Sequence, residues 1–196
     1  MKTVLRILPA ALVSLLLGSQ AMASVVLSPG TGPLALPGST AAVEPNLAGV
    51  VEVDNLIPFR IVNAAGALLF DGVLQNRVVR SNATGTLHFY YRIRDTKAGL
   101  NGIIGSVLTY DFSQSLRLLV DWRPDGLGTI APMSAARSAA PGSKIRYAFA
   151  PGLFSGQESR FFYAETFMKN HAPKGLTRIT LTTGESVVLH TEMPTP

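Results

Sequence analysis

The most regular pattern in this chain is Thr84-Gly-Thr-Leu-His-Phe-Tyr-Tyr-Arg-Ile-Arg-Asp-Thr96. In an extended strand, successive side chains point to opposite faces, so this stretch has one apolar face and one polar and aromatic face. The apolar face comprises Leu87, Phe89, Tyr91 and Ile93. The opposite face comprises His88, Tyr90, Arg92 and Arg94. A period of two that is rich in aromatic and branched residues predicts a half-buried β-strand. We expect its apolar face to pack on a core and its opposite face to meet solvent or a partner.

Other segments of strand character occur before and after this stretch, separated by turn sequences such as Asn63-Ala-Ala-Gly66, Arg123-Pro-Asp-Gly126 and Thr183-Gly184. Proline at a turn sets φ, and glycine accepts a positive φ. No window combines a helical apolar period with capping residues at its ends. The alanine-rich stretch Ser134–Ala140 is short and is closed by Pro141. The sequence therefore predicts an all-β, antiparallel β-sandwich of about eight to ten strands, with a barrel as the alternative.

The N-terminus has the layout of a secretory signal peptide. Lys2 and Arg6 precede an apolar run from Ile7 to Leu17, and small residues end in Ala21-Met22-Ala23. The apolar run is about half the length that a membrane span needs. We therefore expect cleavage after Ala23. The mature chain is expected to be secreted, or to be periplasmic or on the cell surface.

Composition divides the mature chain into two parts. Residues 24–48 are rich in Pro, Gly, Ser and Ala, which predicts a flexible N-terminal arm with one short edge strand near Val25–Leu27. Residues 49–196 have the size of one domain and are expected to form a single β-sandwich.

Charge and cysteine content exclude several classes of function. Without Lys2 and Arg6, 15 basic residues face 12 acidic ones, a net charge of +3, and no basic block occurs, so nucleic acid is not an expected partner. The chain has no cysteine, which excludes disulfides, a thiol nucleophile and cysteine-based metal sites. No apolar run of spanning length follows the signal, so we expect no membrane span in the mature chain. We also expect no cofactor.

The polar face of the central strand is the first candidate site. Its members, His88, Tyr90, Arg92 and Arg94, combine aromatic rings with guanidinium groups, a combination suited to a polysaccharide or another surface protein. Ordinary cross-strand pairing explains the same residues.

Acidic side chains give two weaker candidate sites. Asp121 and Asp125 flank Trp122-Arg123-Pro124 and are weak candidates for calcium, although Asp125-Gly126 also fits a plain turn. Glu158 and Glu165 are a possible carboxylate pair, but a charge on an edge strand explains Glu165 as well.

Two segments resemble a known group of proteins. Gly85-Thr-Leu-His-Phe-Tyr-Tyr-Arg-Ile93 and Gly156-Gln-Glu-Ser-Arg-Phe-Phe-Tyr-Ala-Glu-Thr166 resemble, in order and spacing, strands of bacterial exported proteins of the PEP-CTERM (exosortase-substrate) class. The resemblance covers roughly residues 65–190. It implies an exported β-rich domain of polysaccharide-producing bacteria with no established enzymatic activity. The sorting signal of that class has a Val-Pro-Glu-Pro-like motif, a membrane span and a basic tail, whereas this sequence ends in Met193-Pro-Thr-Pro196.

The sequence leaves three functions open. The first is an exported, non-catalytic β-domain associated with the cell surface or extracellular matrix through adhesion or exopolysaccharide. A carbohydrate-binding module is the second. The third is a hydrolase with an unrecognised carboxylate site. The chain has no Gly-x-Ser-x-Gly or His-Glu-x-x-His motif, which favours a non-catalytic domain.

Overall fold

A computed structural model describes residues 23–196. The predicted signal peptide, residues 1–23, falls outside the described residues except for Ala23. The strands are β1 (Val25–Leu27), β2 (Leu34–Ala35), β3 (Gly49–Val62), β4 (Leu68–Ser81), β5 (Leu87–Arg94), β6 (Ile103–Thr109), β7 (Leu118–Trp122), β8 (Ser134–Arg137), β9 (Ile145–Phe154), β10 (Phe162–Glu165), β11 (Asn170–Leu181) and β12 (Ser186–Thr195). One 3-10 turn, Pro45–Leu47, lies between β2 and β3, and the described residues contain no α-helix.

The strands form two six-stranded sheets. Sheet A has the order β1-β7-β10-β5-β4-β3, and sheet B has the order β12-β11-β6-β9-β8-β2. Every pairing between these strands is antiparallel. The prediction of an all-β antiparallel β-sandwich is confirmed. The strand count is higher than expected for two reasons. Residues 130–143, which the sequence pattern with Pro132, Pro141 and Gly142 predicts to be a long loop, contain β8, and the N-terminal segment contains β2 as well as β1.

The main core lies between the two sheets. The apolar residues of the central strand, now β5, all point into it: Leu87, Phe89, Tyr91 and Ile93 are at most 1% exposed. Phe162 of β10 lies among other aromatic rings of this core, with ring centroids 4.7 Å from Tyr147 and 5.8 Å from Tyr91. The Tyr147 hydroxyl donates a hydrogen bond of 2.7 Å to the Tyr163 carbonyl, which satisfies the one polar atom that this ring buries.

Arg137 of β8 is a buried cation that ties chain segments from both sheets together. It is 3% exposed, and its guanidinium group donates hydrogen bonds to backbone carbonyls only. The acceptors are the carbonyls of Leu27 (3.0 Å), Phe112 (2.9 Å), Gly142 (2.8 Å), Leu116 (3.3 Å) and Ser115. These bonds connect β1 and the connection between β6 and β7 to β8.

The N-terminal segment, residues 24–48, is packed on the sandwich and is not a loose arm. The predicted edge strand at Val25–Leu27 is present as β1, which pairs with β7 in sheet A. β2 pairs with β8 in sheet B, and the chain then returns to the outer face of sheet A. There Leu47, 3% exposed, packs with Val79 and Tyr90 in a second apolar cluster. The small side chains and prolines of this segment predicted flexibility. Its backbone is instead held in place by strand pairing and by hydrogen bonds to Asp121.

Asp121 is the main polar anchor of this segment. Its Oδ1 accepts a hydrogen bond of 2.8 Å from the Gly38 amide, and its Oδ2 accepts one of 2.7 Å from the Ser39 hydroxyl. The neighbouring Trp122 donates from Nε1 to the Leu36 carbonyl at 3.1 Å. Residues 36–39 are thereby fixed against the end of β7.

Candidate functional site

The expectation that the second face of β5 meets solvent is wrong for three of its four residues. His88, Tyr90 and Arg92 are 0%, 4% and 4% exposed, and only Arg94 is half-buried. The face is covered because the N-terminal segment and the loop that precedes β10 lie over it. Arg92, for example, donates to the Ser159 carbonyl at 3.3 Å and forms an ion pair with Glu158. Arg94 lies 2.9 Å from the Asp95 carboxylate.

A pocket of about 310 Å³ opens beside the place where the N-terminal segment ends. Tyr90 and Phe161 line it, with their rings edge to face and centroids 6.2 Å apart. Its apolar lining consists of Leu47, Val51, Val79 and Leu127. Its charged lining consists of Arg77, Arg123 and Asp125. Of the four binding residues predicted from the sequence, only Tyr90 lines this pocket.

Arg123 and Asp125 form a two-pronged ion pair on the pocket wall. Arg123 Nε and Nη2 lie 2.8 and 2.7 Å from the two Asp125 oxygens, the geometry that a guanidinium group offers a carboxylate. Arg123 Nη1 also reaches the Tyr90 hydroxyl and the Leu47 carbonyl, each at 3.4 Å. The hydrogen bond from Arg123 lowers the pKa of Asp125, and burial raises the pKa of Tyr90 to about 12. Asp125 is therefore charged and Tyr90 neutral at physiological pH.

Arg77 supplies the second guanidinium group of the pocket. Its guanidinium carbon lies 4.8 Å from the Phe161 ring centroid, within cation–π range. Its Nη2 pairs with Asp54 at 2.7 Å. Its Nε is buried and has no hydrogen-bond acceptor among the described residues. Arg77 thus places a guanidinium group beside the aromatic wall of the pocket.

The predicted calcium candidates have other partners. Both Asp121 oxygens accept hydrogen bonds from the N-terminal segment, and burial raises the pKa of Asp121 to about 6. Asp125 is exposed and is paired with Arg123. Within residues 23–196, no group of three or more His, Cys, Asp or Glu side chains is placed to hold a metal ion. The structure thus gives the two aspartates separate structural partners.

Glu158 and Glu165, considered above as a carboxylate pair, also have separate surroundings. Glu158 is paired with Arg92 and accepts a hydrogen bond of 2.9 Å from the Asp95 amide. Glu165, at the end of β10, is 5% exposed beneath the N-terminal segment, where Asn46 Nδ2 lies 3.4 Å from its Oε1.

His88 is the other titratable group beside Glu165, with its Nε2 3.6 Å from Glu165 Oε1. Neither ring nitrogen of His88 has a hydrogen-bond partner among the described residues, and neither does Glu165 Oε2. Burial lowers the pKa of His88 to about 4 and raises the pKa of Glu165 to about 7. The histidine is therefore neutral at pH 7, so this contact is not an ion pair under those conditions.

The pocket residues missed by sequence reasoning are Arg77, Arg123, Phe161 and Leu47. The sequence did contain an indication that the second face of β5 is buried. In Phe89-Tyr90-Tyr91 and in Phe161-Phe162-Tyr163, aromatic residues occupy both faces of neighbouring strands. Near-continuous apolar runs are typical of strands that are buried on both sides. Arg77 of β4 and Arg123, in the turn after β7, carry no comparable signal, because arginines are common on exposed strand faces and in turns.

Within the described part of the chain, no helix has the length and apolar character needed to cross a membrane. Comparisons with protein-family models, with curated proteins and with solved structures give no match. The resemblance to the PEP-CTERM class therefore stays a prediction, and the pocket is interpreted from its own chemistry.

Proposed function

We propose that this chain is an exported, non-catalytic β-sandwich domain that binds an acidic polysaccharide at the cell surface or in the extracellular matrix. The observation that carries the proposal is the pocket beside the N-terminal segment, where Tyr90 and Phe161 lie next to the guanidinium groups of Arg77 and Arg123. The proposal combines the adhesion function with that of a carbohydrate-binding module, because one pocket serves both.

The lining of the pocket suits an acidic sugar. Ligand sites are concave and mostly apolar, with a few polar groups that orient the ligand. Apolar side chains such as Leu47 and Phe161 match the C–H face of a sugar ring, while arginine pairs with a carboxylate in a planar, two-pronged geometry. The guanidinium groups of Arg77 and Arg123 on the pocket wall supply the positive charge that such a carboxylate requires.

A non-catalytic role is supported by the position of Glu165, a carboxyl group near Tyr90 whose pKa is raised. Perturbed pKa values often mark catalytic groups, and the pKa of Glu165 is raised to about 7. A general acid must, however, come within hydrogen-bond reach of its substrate. Glu165 lies beneath Asn46 and is 5% exposed, so a polymer has no path to it in this conformation.

Export is supported by the basic, apolar and small-residue regions that precede Ser24. The resemblance to PEP-CTERM proteins adds the expectation of polysaccharide-producing bacteria. Export and the association with polysaccharide-producing bacteria are thus both parts of the proposed function.

The test is a binding titration of the mature chain with a uronic-acid homopolymer and with a neutral glucan. We expect binding to the acidic polymer only, weakened about tenfold or more by Arg77→Gln, which corresponds to ~1.4 kcal/mol. Arg60→Gln is the matched control, because Arg60 is 68% exposed, pairs with Asp71 and does not line the pocket. Equal loss in both variants would indicate nonspecific charge attraction, and equal binding of both polymers would exclude recognition of the carboxylate.

A further inference from the structure

The backbone at the predicted cleavage site passes from solvent into a buried polar cluster within one residue. Ala23 is exposed, whereas Ser24 is 9% exposed. The Ser24 hydroxyl lies 2.6 Å from the Tyr163 hydroxyl and also donates to Glu44, while the Ser24 nitrogen lies 3.2 Å from Glu44 Oε2. The bond between Ala23 and Ser24 is thus at the surface, and its nitrogen faces a carboxylate.

This cluster has more negative than positive charge. Glu44 and Glu165 both approach it. Burial is the largest cause of the raised pKa of Glu165, and the charge of Glu44 is the second. Among the described residues, the only basic side chain within ion-pair distance of either carboxylate is His88, whose pKa is lowered to about 4 by burial. Two further titratable groups interact with Glu44. Tyr163 is neutral because burial raises its pKa far above the physiological range, and Asp121 is a carboxyl group whose pKa burial raises to about 6.

We propose that cleavage after Ala23 turns the Ser24 nitrogen into an α-ammonium group that binds Glu44 and so completes this cluster. The inference rests on the export part of the proposed function. In the cleavage, a leader peptidase adds water across the amide bond: the Ala23 carbonyl carbon gains the hydroxyl, and the Ser24 nitrogen gains the proton. At neutral pH the products are a carboxylate on the released peptide and an ammonium group on Ser24.

The new group differs from the amide that it replaces in charge and in donor number. The amide of an uncleaved chain has one donor and no charge, whereas an ammonium has three donors and a full positive charge. Charge-assisted hydrogen bonds are roughly twice as strong as neutral ones. Since Glu44 itself belongs to the N-terminal segment, the ammonium also fixes the residue before β1 to the part of that segment that leads to the pocket.

The experiment compares two processed products of the full chain, each expressed with its own leader in an exporting bacterial host. One is the natural chain, and the other carries a single glycine inserted between Ala23 and Ser24, which leaves the Ser24 nitrogen as an amide. We expect the natural product to melt about 2–4 °C higher, the shift typical of a modest stabilisation in a domain of this size. In Glu44→Gln the difference between the two products should vanish. In Glu185→Gln, a change at an exposed carboxylate on the turn after β11, it should persist.

A second readout separates this inference from a failure of export. The chain is also made as a fusion whose protease leaves Ser24 as the first residue, and its α-amine is titrated by NMR. We expect a pKa above the ordinary value of about 8, which Glu44→Gln lowers. An ordinary pKa and equal melting of the amine and amide forms would overturn the inference. Mass spectrometry of the exported product should find Ser24 first. A retained Met1 would contradict export, even if the fusion product shows the contact between the ammonium group and Glu44. An exported product whose first residue is not Ser24 would overturn the inference.

Discussion

Arg92 is the residue at which the sequence pattern and the structure lead to different energetic expectations. Alternation places it on the polar face of β5, where a substitution by alanine ordinarily changes stability by no more than about 0.5 kcal/mol. In the structure it is 4% exposed and holds Glu158 and the Ser159 carbonyl. The loop before β10 therefore depends on this side chain.

Phe89→Ala and Arg92→Ala test the two faces of β5 together. Phe89 is fully buried between the sheets, so its loss should lower the free energy of unfolding by about 3–5 kcal/mol. Arg92→Ala should lower it by about 2 kcal/mol, because a buried carbonyl and a half-exposed carboxylate lose their donor. Urea unfolding of both variants measures these values. A loss below about 0.5 kcal/mol for Arg92→Ala would show that this face of β5 is exposed in solution.

Glu165 and His88 predict opposite dependences of stability on pH. The pKa of Glu165 is raised from 4.5 to about 7 by burial and by Glu44, so its contribution to stability is complete below about pH 4.5 and is lost as pH rises through about 7. The pKa of His88 is lowered from 6.5 to about 4 by burial and by Arg123, so its contribution is complete above about pH 6.5 and is lost as pH falls through about 4.

Two variants isolate these contributions. Relative to the unmodified chain, the free energy of unfolding of Glu165→Gln should be higher at pH 8 than at pH 5, because the substitution removes a carboxyl group that is costly to ionise in the folded state. His88→Asn should cost more stability at pH 7 than at pH 4. Urea unfolding at each pH measures both differences, and pH-independent differences would mean that neither group is desolvated as the structure describes.

At the scale of elements, the N-terminal segment is the feature that distinguishes this sandwich from a plain pair of sheets. Gly38 fixes its path, with φ of +90° and a backbone so close to Trp122 that an added Cβ would lie 2.7 Å from Cζ2. Only glycine combines that backbone conformation with that approach.

Gly38→Ala should therefore detach part of the segment, whereas Gly30→Ala is a matched control. Gly30 has a similar φ of +85°, but an added Cβ there meets nothing within 4 Å. We expect Gly30→Ala to cost about 1–2 kcal/mol of backbone strain and Gly38→Ala to cost at least about 1 kcal/mol more from overpacking. Trp122 is the single tryptophan of the chain, so a red shift of its fluorescence reports detachment directly. If the two variants lost the same stability and showed the same fluorescence, the contact between residue 38 and Trp122 would not be the cause of the destabilisation.

At the scale of the whole molecule, Arg137 connects segments that are far apart in sequence and belong to different sheets. Arg137→Met leaves several buried carbonyls without a donor, and each such group costs about 1–3 kcal/mol. We expect the free energy of unfolding to fall by at least about 3 kcal/mol. Arg146→Met, on the exposed face of neighbouring β9, should stay within about 0.5 kcal/mol. Urea unfolding measures both. A small effect of Arg137→Met would indicate that water replaces the guanidinium group without cost.

The prediction of the fold succeeded where a local pattern was sufficient. The alternation in Leu87–Ile93 and the turn at Thr183-Gly184 each specify their structure within a few residues, and both are present as β5 and the hairpin of β11 and β12. β8 was missed because Ser134-Ala-Ala-Arg137 has small side chains and an arginine in place of a branched apolar run. Its strand conformation comes from pairing with β9 and β2, which are distant in sequence.

By itself the sequence determined the fold class and the inward face of the central strand, because a period of two is a local property. Only the tertiary structure decided what covers the other face. Alternation assigns His88, Tyr90 and Arg92 to one side of a sheet but contains no information about a segment that folds back from about 40 residues earlier. That segment converts the expected binding face into a buried layer and leaves a pocket at its edge. The candidate site therefore depends on contacts between distant parts of the chain, which no single stretch of sequence specifies.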